Sequence, residues 1–136
     1  MKKNLGFTLM ELLVVISIIG ILMALGMVSY TTAQKKGRDA KRKGDIKAMQ
    51  NAMEQYYAIN SGYGADASCV TQLTAGGMAD IPTDPKDGVS YYALCASDSL
   101  CLCAYLEGAD GDAAGCGSAP ALSSGRESYF CLVNQQ

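Results

Sequence analysis

A long apolar run near the N-terminus limits what this chain can fold into. Residues 7–30 are 24 consecutive positions that contain a single charged side chain, Glu11. As a helix, this run spans about 36 Å, against about 30 Å for the hydrocarbon core of a membrane. A cleaved secretory signal is the competing interpretation, but its apolar core usually has only about 7–15 residues. The length therefore predicts a helix that stays in the membrane.

Glu11 lies where a carboxylate is costly. An ionised acid near mid-membrane costs about 2.5–3.5 kcal/mol even on a lenient scale, so such a residue usually has a partner. No side chain in residues 7–30 is basic. The alternative is a carboxylate that stays solvated near the headgroups, and position alone does not decide between the two.

The residues around Glu11 resemble the class III signal of type IV pilins and type II secretion pseudopilins. A short basic leader, residues 1–6, precedes Phe7-Thr8-Leu9-Met10-Glu11 and the apolar run. The resemblance implies that a prepilin peptidase cuts between Gly6 and Phe7, and that the new amino group of Phe7 is methylated. It also implies that Glu11 of one subunit pairs with the N-terminal ammonium of its neighbour.

Residues 31–60 predict that the helix continues beyond the membrane segment. No Pro interrupts them, and Ile46, Met49 and Met53 recur at helical spacing. Asn60-Ser61-Gly62 predicts the end of the helix. The opposite face is basic and is expected to be solvated, with contacts to acidic neighbours or lipid headgroups as the alternative. Its residues are Lys35, Lys36, Arg38, Lys41, Arg42, Lys43 and Lys47.

Composition excludes several function classes. The chain has 13 acidic and 11 basic residues, so it lacks the broad positive charge of an ordinary nucleic-acid binder. It has no His, which excludes a Ser-His-Asp or Cys-His enzyme. We therefore expect no enzymatic activity, no catalytic residues and no nucleic-acid partner.

Residues 61–136 predict a small domain that depends on disulfides. About 75 residues make a thin core, and such domains often need covalent help. Six cysteines allow 15 pairings, and the sequence does not choose among them. A thiolate metal site is the rival, but the spacing is C-x-C and no His is present. The disulfide candidates are Cys69, Cys95, Cys101, Cys103, Cys116 and Cys131.

Three β-rich runs predict the sheet of this domain. Residues 89–95 and 100–106 flank a four-residue polar connection that fits a hairpin, and residues 128–133 read as a third strand. Alternation places Cys101 and Cys103 on one face of the second strand. The expected fold is α+β and pilin-like, with a long N-terminal helix packed against a small, disulfide-stapled antiparallel sheet.

Two loops have candidate roles. Pro82-Thr83-Asp84-Pro85 resembles a turn of the pseudopilin-like families and is expected to be a rigid turn that opens a strand. Asp110 and Asp112 could ligate calcium, as some pseudopilins do in this region. The spacing and the closing Glu of an EF-hand are absent, so we expect solvated turn acids and no cofactor.

The expected orientation conflicts with the positive-inside rule. Two basic residues precede the apolar run and seven follow it, which by that rule would place residues 31–136 in the cytoplasm. We expect the opposite, a single pass through the inner membrane with the C-terminal domain outside. A cluster of cysteines suits an oxidising exterior, and the resemblance implies a cytoplasmic leader.

The resemblance implies a structural subunit of a type IV pilus, a type II secretion pseudopilus or a DNA-uptake pseudopilus. Its parts are a leader (1–6), a membrane and filament-core helix (7–30), an amphipathic helix (31–60) and a cysteine-rich domain (61–136). Its partners would be the peptidase, identical or related subunits, and an inner-membrane assembly platform with its motor ATPase. The subunit would pass from the inner membrane into a periplasmic or extracellular filament. The alternative is a monomeric, membrane-anchored binding module with an uncut N-terminus.

Overall fold

The fold has two helices and one sheet, as seen in a computed structural model that describes residues 6–64, 69–108, 111 and 128–135. The chain divides into two compact units, Met1–Gln34 and Lys35–Gln136. The α+β prediction is confirmed. The elements are α1 (Leu9–Asn60), α2 (Val70–Ala75), β1 (Tyr92–Ala96), β2 (Ser99–Leu106) and β3 (Ser128–Val133).

The described part of the first unit is the apolar beginning of α1. Its large apolar side chains are exposed, from 45% at Val15 to 87% at Leu9. By length and apolar composition, α1 could cross a membrane. Its 52 residues confirm the prediction of one long helix, with both ends within two residues of those expected. The predicted end signal also holds, since Ser61 adopts a positive φ of 55° directly after the helix.

The second unit contains an antiparallel sheet in the order β1-β2-β3. The β1–β2 hairpin is tighter than predicted, because Ala96 pairs with Ser99 and leaves only two residues in the turn. β1 also begins three residues later than predicted. The preceding residues serve the Pro82–Pro85 turn instead: Ser90 bridges Thr83, and the Val89 carbonyl accepts a hydrogen bond from the Asp84 amide.

The two faces of β2 have different neighbours. Leu100, Leu102 and Ala104 belong to the core cluster that contains the apolar face of α1. The intervening Cys101 and Cys103 form a second cluster with Cys131. The predicted alternation is confirmed, and so is the predicted helix face. The α1 residues in the core are Ile46, Met49, Ala52 and Met53, with Tyr57 packed against them.

Disulfides join elements that are distant in sequence. Cys69, directly before α2, bonds Cys95 of β1, and Cys103 of β2 bonds Cys131, its partner in the β2–β3 register. Cys101 is also disulfide-bonded. Cys116 lies outside the described residues.

Helix α2 was not predicted from the sequence. It contacts α1 closely at its C-terminal end, where a Cβ on Gly76 would overlap the carbonyl oxygen of Ala52. Together with the Cys69–Cys95 bond, this contact ties a short, β-branched segment into a helical turn that its own propensity would not favour.

Candidate functional site

The first candidate site is the start of α1, where Thr8 and Glu11 form a reciprocal cap. The Glu11 carboxylate accepts hydrogen bonds from the Thr8 amide at 2.9 Å and from the Thr8 hydroxyl at 2.8 Å. The Thr8 hydroxyl oxygen in turn accepts from the Glu11 amide at 3.2 Å. This is a capping box, in which each side chain satisfies an amide that the first helical turn leaves unpaired.

The cap places the carboxylate beside the predicted cleavage site. Gly6 and Phe7 directly precede Thr8, and the Phe7 side chain is exposed. In the described part of the chain, Glu11 is bonded to Thr8 and forms no ion pair with a cation. The sequence carried a signal for this arrangement, because Thr-x-x-Glu is the capping-box pattern, whereas the prediction for Glu11 rested on its charge alone.

The second candidate site is an ion cluster with a buried centre, here called the Arg42 cluster, which is made of Arg38, Asp39, Arg42, Asp84, Lys86 and Glu107. Its centre is the guanidinium of Arg42, whose side chain has no solvent exposure. Nε and Nη2 of Arg42 donate to the two carboxylate oxygens of Asp84 at 2.8 and 3.0 Å. Nη1 donates to Asp39 at 2.7 Å and to Glu107 at 2.9 Å. Arg42 thus binds three acids from three parts of the second unit.

Two acids of the cluster, Asp39 and Asp84, also accept hydrogen bonds from backbone amides. Asp39 accepts from the amides of Glu107 and Gly108, at 3.0 and 3.1 Å, directly after β2. Asp84 accepts from the amides of Lys86 and Asp87, which closes the turn between Pro82 and β1. Charge and hydrogen bonding together therefore fix two loops onto α1.

Outer members of the cluster complete the pairing. Arg38 makes a bidentate contact with Glu107, at 2.6 and 2.7 Å, and the Lys86 ammonium lies 3.6 Å from the same carboxylate. The ring of Tyr105 lies 5.1 Å from the Arg42 guanidinium carbon, a cation–π distance. Such a site suits a planar guanidinium, which binds one carboxylate with two parallel hydrogen bonds and has donors left for other acids.

The predicted solvated basic face is therefore wrong at Arg38 and Arg42. Arg42 lies four residues before Ile46 and seven before Met49, on the same buried stripe of α1. The Pro82–Pro85 turn is more than a strand opener, since it supplies Asp84 to the buried pair. Lys35, Lys36, Lys41 and Lys47 are exposed, as predicted.

The surroundings shift the pKa of each central group. Burial alone would lower the pKa of Arg42, but hydrogen bonds to Asp84, Glu107 and Asp39 outweigh it and raise that pKa. Burial alone would raise the pKa of Asp84, yet the bonds from Arg42 and two amides lower it. The Arg38 bond, with help from Arg42, lowers the pKa of Glu107 to about 2. Arg42, Asp84 and Glu107 are therefore ionised at neutral pH.

These shifts predict a loss of stability in acid. A carboxylate whose pKa is lower in the folded chain stabilises the fold above its ordinary pKa, which is 4.5 for Glu107. That stability disappears as the pH falls toward the folded value of about 2. We expect the urea midpoint of the full chain in non-ionic detergent to be level from about pH 7 to 5 and then to fall. Glu107→Gln should start lower at pH 7 and fall less steeply, and a parallel fall would contradict this.

The structure does not describe three other predicted site residues. Asp110 and Asp112 lie outside the described residues, and so does Cys116. Within residues 6–64, 69–108, 111 and 128–135, no group of three or more His, Cys, Asp or Glu side chains could hold a metal ion. The calcium loop remains a prediction.

Comparison with known proteins finds a family match for the N-terminal segment and relatives that cover most of the chain. Residues 1–27 match the family described as the prokaryotic N-terminal methylation motif. The type IV major pilin PilA of Myxococcus xanthus is 33% identical over 61 residues, which is 45% of this chain and 28% of that pilin. No solved structure gives a significant match.

The similarity to secretion proteins extends further along the chain. The type II secretion system core protein G of Vibrio cholerae is 33% identical over 132 residues, which covers 87% of this chain and 89% of the relative. The protein of the same name from Pseudomonas aeruginosa is 29% identical, with 84% and 89% covered. The N-terminal motif, the long helix, the small sheet and this coverage lead to one conclusion: the chain belongs to the type II secretion core protein G family of pseudopilins.

Proposed function

We propose that the chain is a structural subunit of a type II secretion pseudopilus. The choice of a secretion filament over a motility pilus rests on coverage, which is 89% of the Vibrio secretion protein against 28% of the Myxococcus pilin. Prepilin peptidase removes residues 1–6, and the mature chain begins with a methylated Phe7. The subunit then leaves the membrane and joins related subunits.

The observation that carries this proposal is the environment of Glu11. Its carboxylate is capped by Thr8, faces no described cation, and stands at the start of a helix whose apolar side chains are exposed. A lone carboxylate in an apolar surrounding is unfavourable unless it is paired. Cleavage before Phe7 creates an ammonium, and methylation leaves its positive charge in place.

The ion pair gives assembly its direction. A helix that leaves lipid for a bundle of apolar helices gains little hydrophobic free energy, because lipid tails are as apolar as leucine. Packing and polar pairing must then decide the register of the subunits. A carboxylate in one subunit and an ammonium in the next define a single axial step, since either group left unpaired is costly.

The membrane helix and the disulfides also support a proposed orientation of the chain in the membrane. Residues 7–30 cross the inner membrane once, with the leader in the cytoplasm and the disulfide-bonded domain outside. The bonds of Cys69 to Cys95 and of Cys103 to Cys131 favour an oxidising compartment. The subunit itself needs no catalytic group, because peptide cleavage, methyl transfer and ATP hydrolysis belong to the peptidase and to the assembly platform with its motor ATPase.

Mass spectrometry of the N-terminus tests the proposal. With active prepilin peptidase, we expect the membrane form to begin at N-methylated Phe7 and to assemble into filaments. With an inactive peptidase, it should begin at Met1 and remain unassembled. A chain that keeps Met1 beside the active enzyme and stays monomeric would instead support the binding-module alternative. Loss of secretion with intact motility in a deletion strain would separate the pseudopilus from a pilus.

A further inference from the structure

Three lysines of α1 differ from the other basic residues of the same helix. Lys35, Lys36 and Lys41 are exposed, and none of their side chains has a hydrogen bond or ion pair with another described residue. The remaining four have partners in the second unit: Arg38 and Arg42 lie in the Arg42 cluster, Lys43 lies over the Phe130 ring, and Lys47 donates to Gln50.

The three lysines surround the helix. At 3.6 residues per turn, Lys35 and Lys36 are about 100° apart, Lys36 and Lys41 about 140°, and Lys41 and Lys35 about 120°. A protein partner docks against one side of a helix and would meet one or two of these charges. A lipid bilayer surrounds a helix that crosses it, so its headgroups can meet all three.

Their distance from the apolar segment also fits a membrane surface. They follow Tyr30, an exposed aromatic residue at the end of the apolar run, by about 8, 9 and 16 Å of helix. Tyrosine favours the membrane interface, and a lysine stem can bend its ammonium back toward the headgroups. With residues 7–30 across a bilayer, Lys35 and Lys36 would reach the headgroup layer, and Lys41 would lie within about one Debye length of it.

We propose that Lys35, Lys36 and Lys41 form a ring that binds anionic phospholipid headgroups on the side of the membrane where the C-terminal domain lies. The inference rests on the proposed membrane crossing of residues 7–30. An ammonium near a membrane surface attracts acidic lipids electrostatically, and each lysine adds to the attraction. The ring stabilises the membrane-inserted subunit until that subunit leaves the bilayer and joins a filament.

Lipid selectivity in reconstituted vesicles tests the ring. The full chain is inserted into phosphatidylcholine vesicles that carry spin-labelled phosphatidylglycerol or spin-labelled phosphatidylcholine, and the motionally restricted fraction is measured by electron paramagnetic resonance. We expect the wild type to prefer phosphatidylglycerol by about three- to fivefold at about 0.1 M salt, where the Debye length is about 10 Å. The triple variant Lys35→Gln, Lys36→Gln, Lys41→Gln should lower the preference toward one, and about 0.5 M salt should do the same to the wild type.

Lys47→Gln is the matched control. It removes the same charge from an exposed position of α1 about 26 Å beyond Tyr30, so the preference for phosphatidylglycerol should remain. Equal preference in the triple variant and the wild type would overturn the ring. Unchanged lipid preference with lost filament assembly would also overturn it, because the lysines would then act on a neighbouring subunit. Flotation after carbonate extraction reports insertion separately; failure there would overturn the membrane crossing and the ring with it.

Discussion

Arg42→Ala is expected to lower the free energy of unfolding of the second unit, Lys35–Gln136, by about 3–5 kcal/mol. Arg42 has no solvent exposure and donates four hydrogen bonds to three acids. Alanine would leave Asp84 buried and negatively charged without its counterion. An uncompensated buried charge costs more than the ion pair contributes, so the loss should be among the largest for a single substitution in this chain.

The measurement is urea unfolding of the full chain in non-ionic detergent, followed by tyrosine fluorescence because the chain has no Trp. Lys41→Ala is the control, since it removes a charge from the neighbouring, exposed position and should change stability by no more than about 0.5 kcal/mol. Arg42→Lys should fall between them, because an ammonium keeps the charge but loses the two-pronged contact with Asp84. Equal stability of the Arg42→Ala and Lys41→Ala proteins would contradict a central role for this guanidinium.

A double-mutant cycle measures the coupling free energy between Arg42 and Asp84. Asp84→Asn alone should also destabilise, because it weakens the contact with Arg42 and the closure of the turn. In the Arg42→Ala background, the same change should cost much less, since the carboxylate then lacks its counterion. Additive effects would indicate that Arg42 and Asp84 act independently.

The features that were predicted correctly from the sequence are those that depend on local patterns of side chains. The period of Ile46, Met49 and Met53 reports the buried face of α1, and alternation reports the two faces of β2, so both were predicted correctly. The ends of the hairpin were predicted less accurately, because polar side chains such as Ser99 are typical of loops but do not prevent backbone pairing.

The Arg42 cluster could not be predicted from a charge run. Arg42 follows Lys41, an exposed residue with the same charge. The sequence alone does not show which of the two pairs with a buried acid. The answer depends on Asp84 and Glu107, which lie 42 and 65 residues away. One local signal existed, since Arg42 falls on the stripe of Ile46.

The disulfide pairing depends on the same long-range geometry. Six cysteines leave 15 pairings open until the strand register is known. The register places Cys103 beside Cys131, and the segment before α2 brings Cys69 to Cys95. Neither relation is visible in the spacing of the cysteines along the chain.

Glu11→Leu is expected to leave membrane insertion intact and to abolish filament assembly. Leucine makes the apolar run more apolar, so insertion should not suffer. The ammonium of the neighbouring Phe7 would then lack its anion within the helix bundle. At about 3–5 kcal/mol for an unpaired buried charge, each subunit addition should weaken on the order of 10²–10⁴-fold. The measurement is the fraction of sheared, sedimentable filament relative to the membrane-inserted chain.

Two further variants separate the charge of Glu11 from its capping role. Glu11→Gln keeps an acceptor for the Thr8 amide and hydroxyl but has no charge, so assembly should fail nearly as fully as with leucine. Thr8→Ala removes the hydroxyl of the cap at a cost of about 1 kcal/mol while the carboxylate remains, so filaments should still form. Cleavage before Phe7 is checked by mass in each variant. Normal filaments from a cleaved Glu11→Gln chain would show that the cap, and not the ion pair, is what assembly requires.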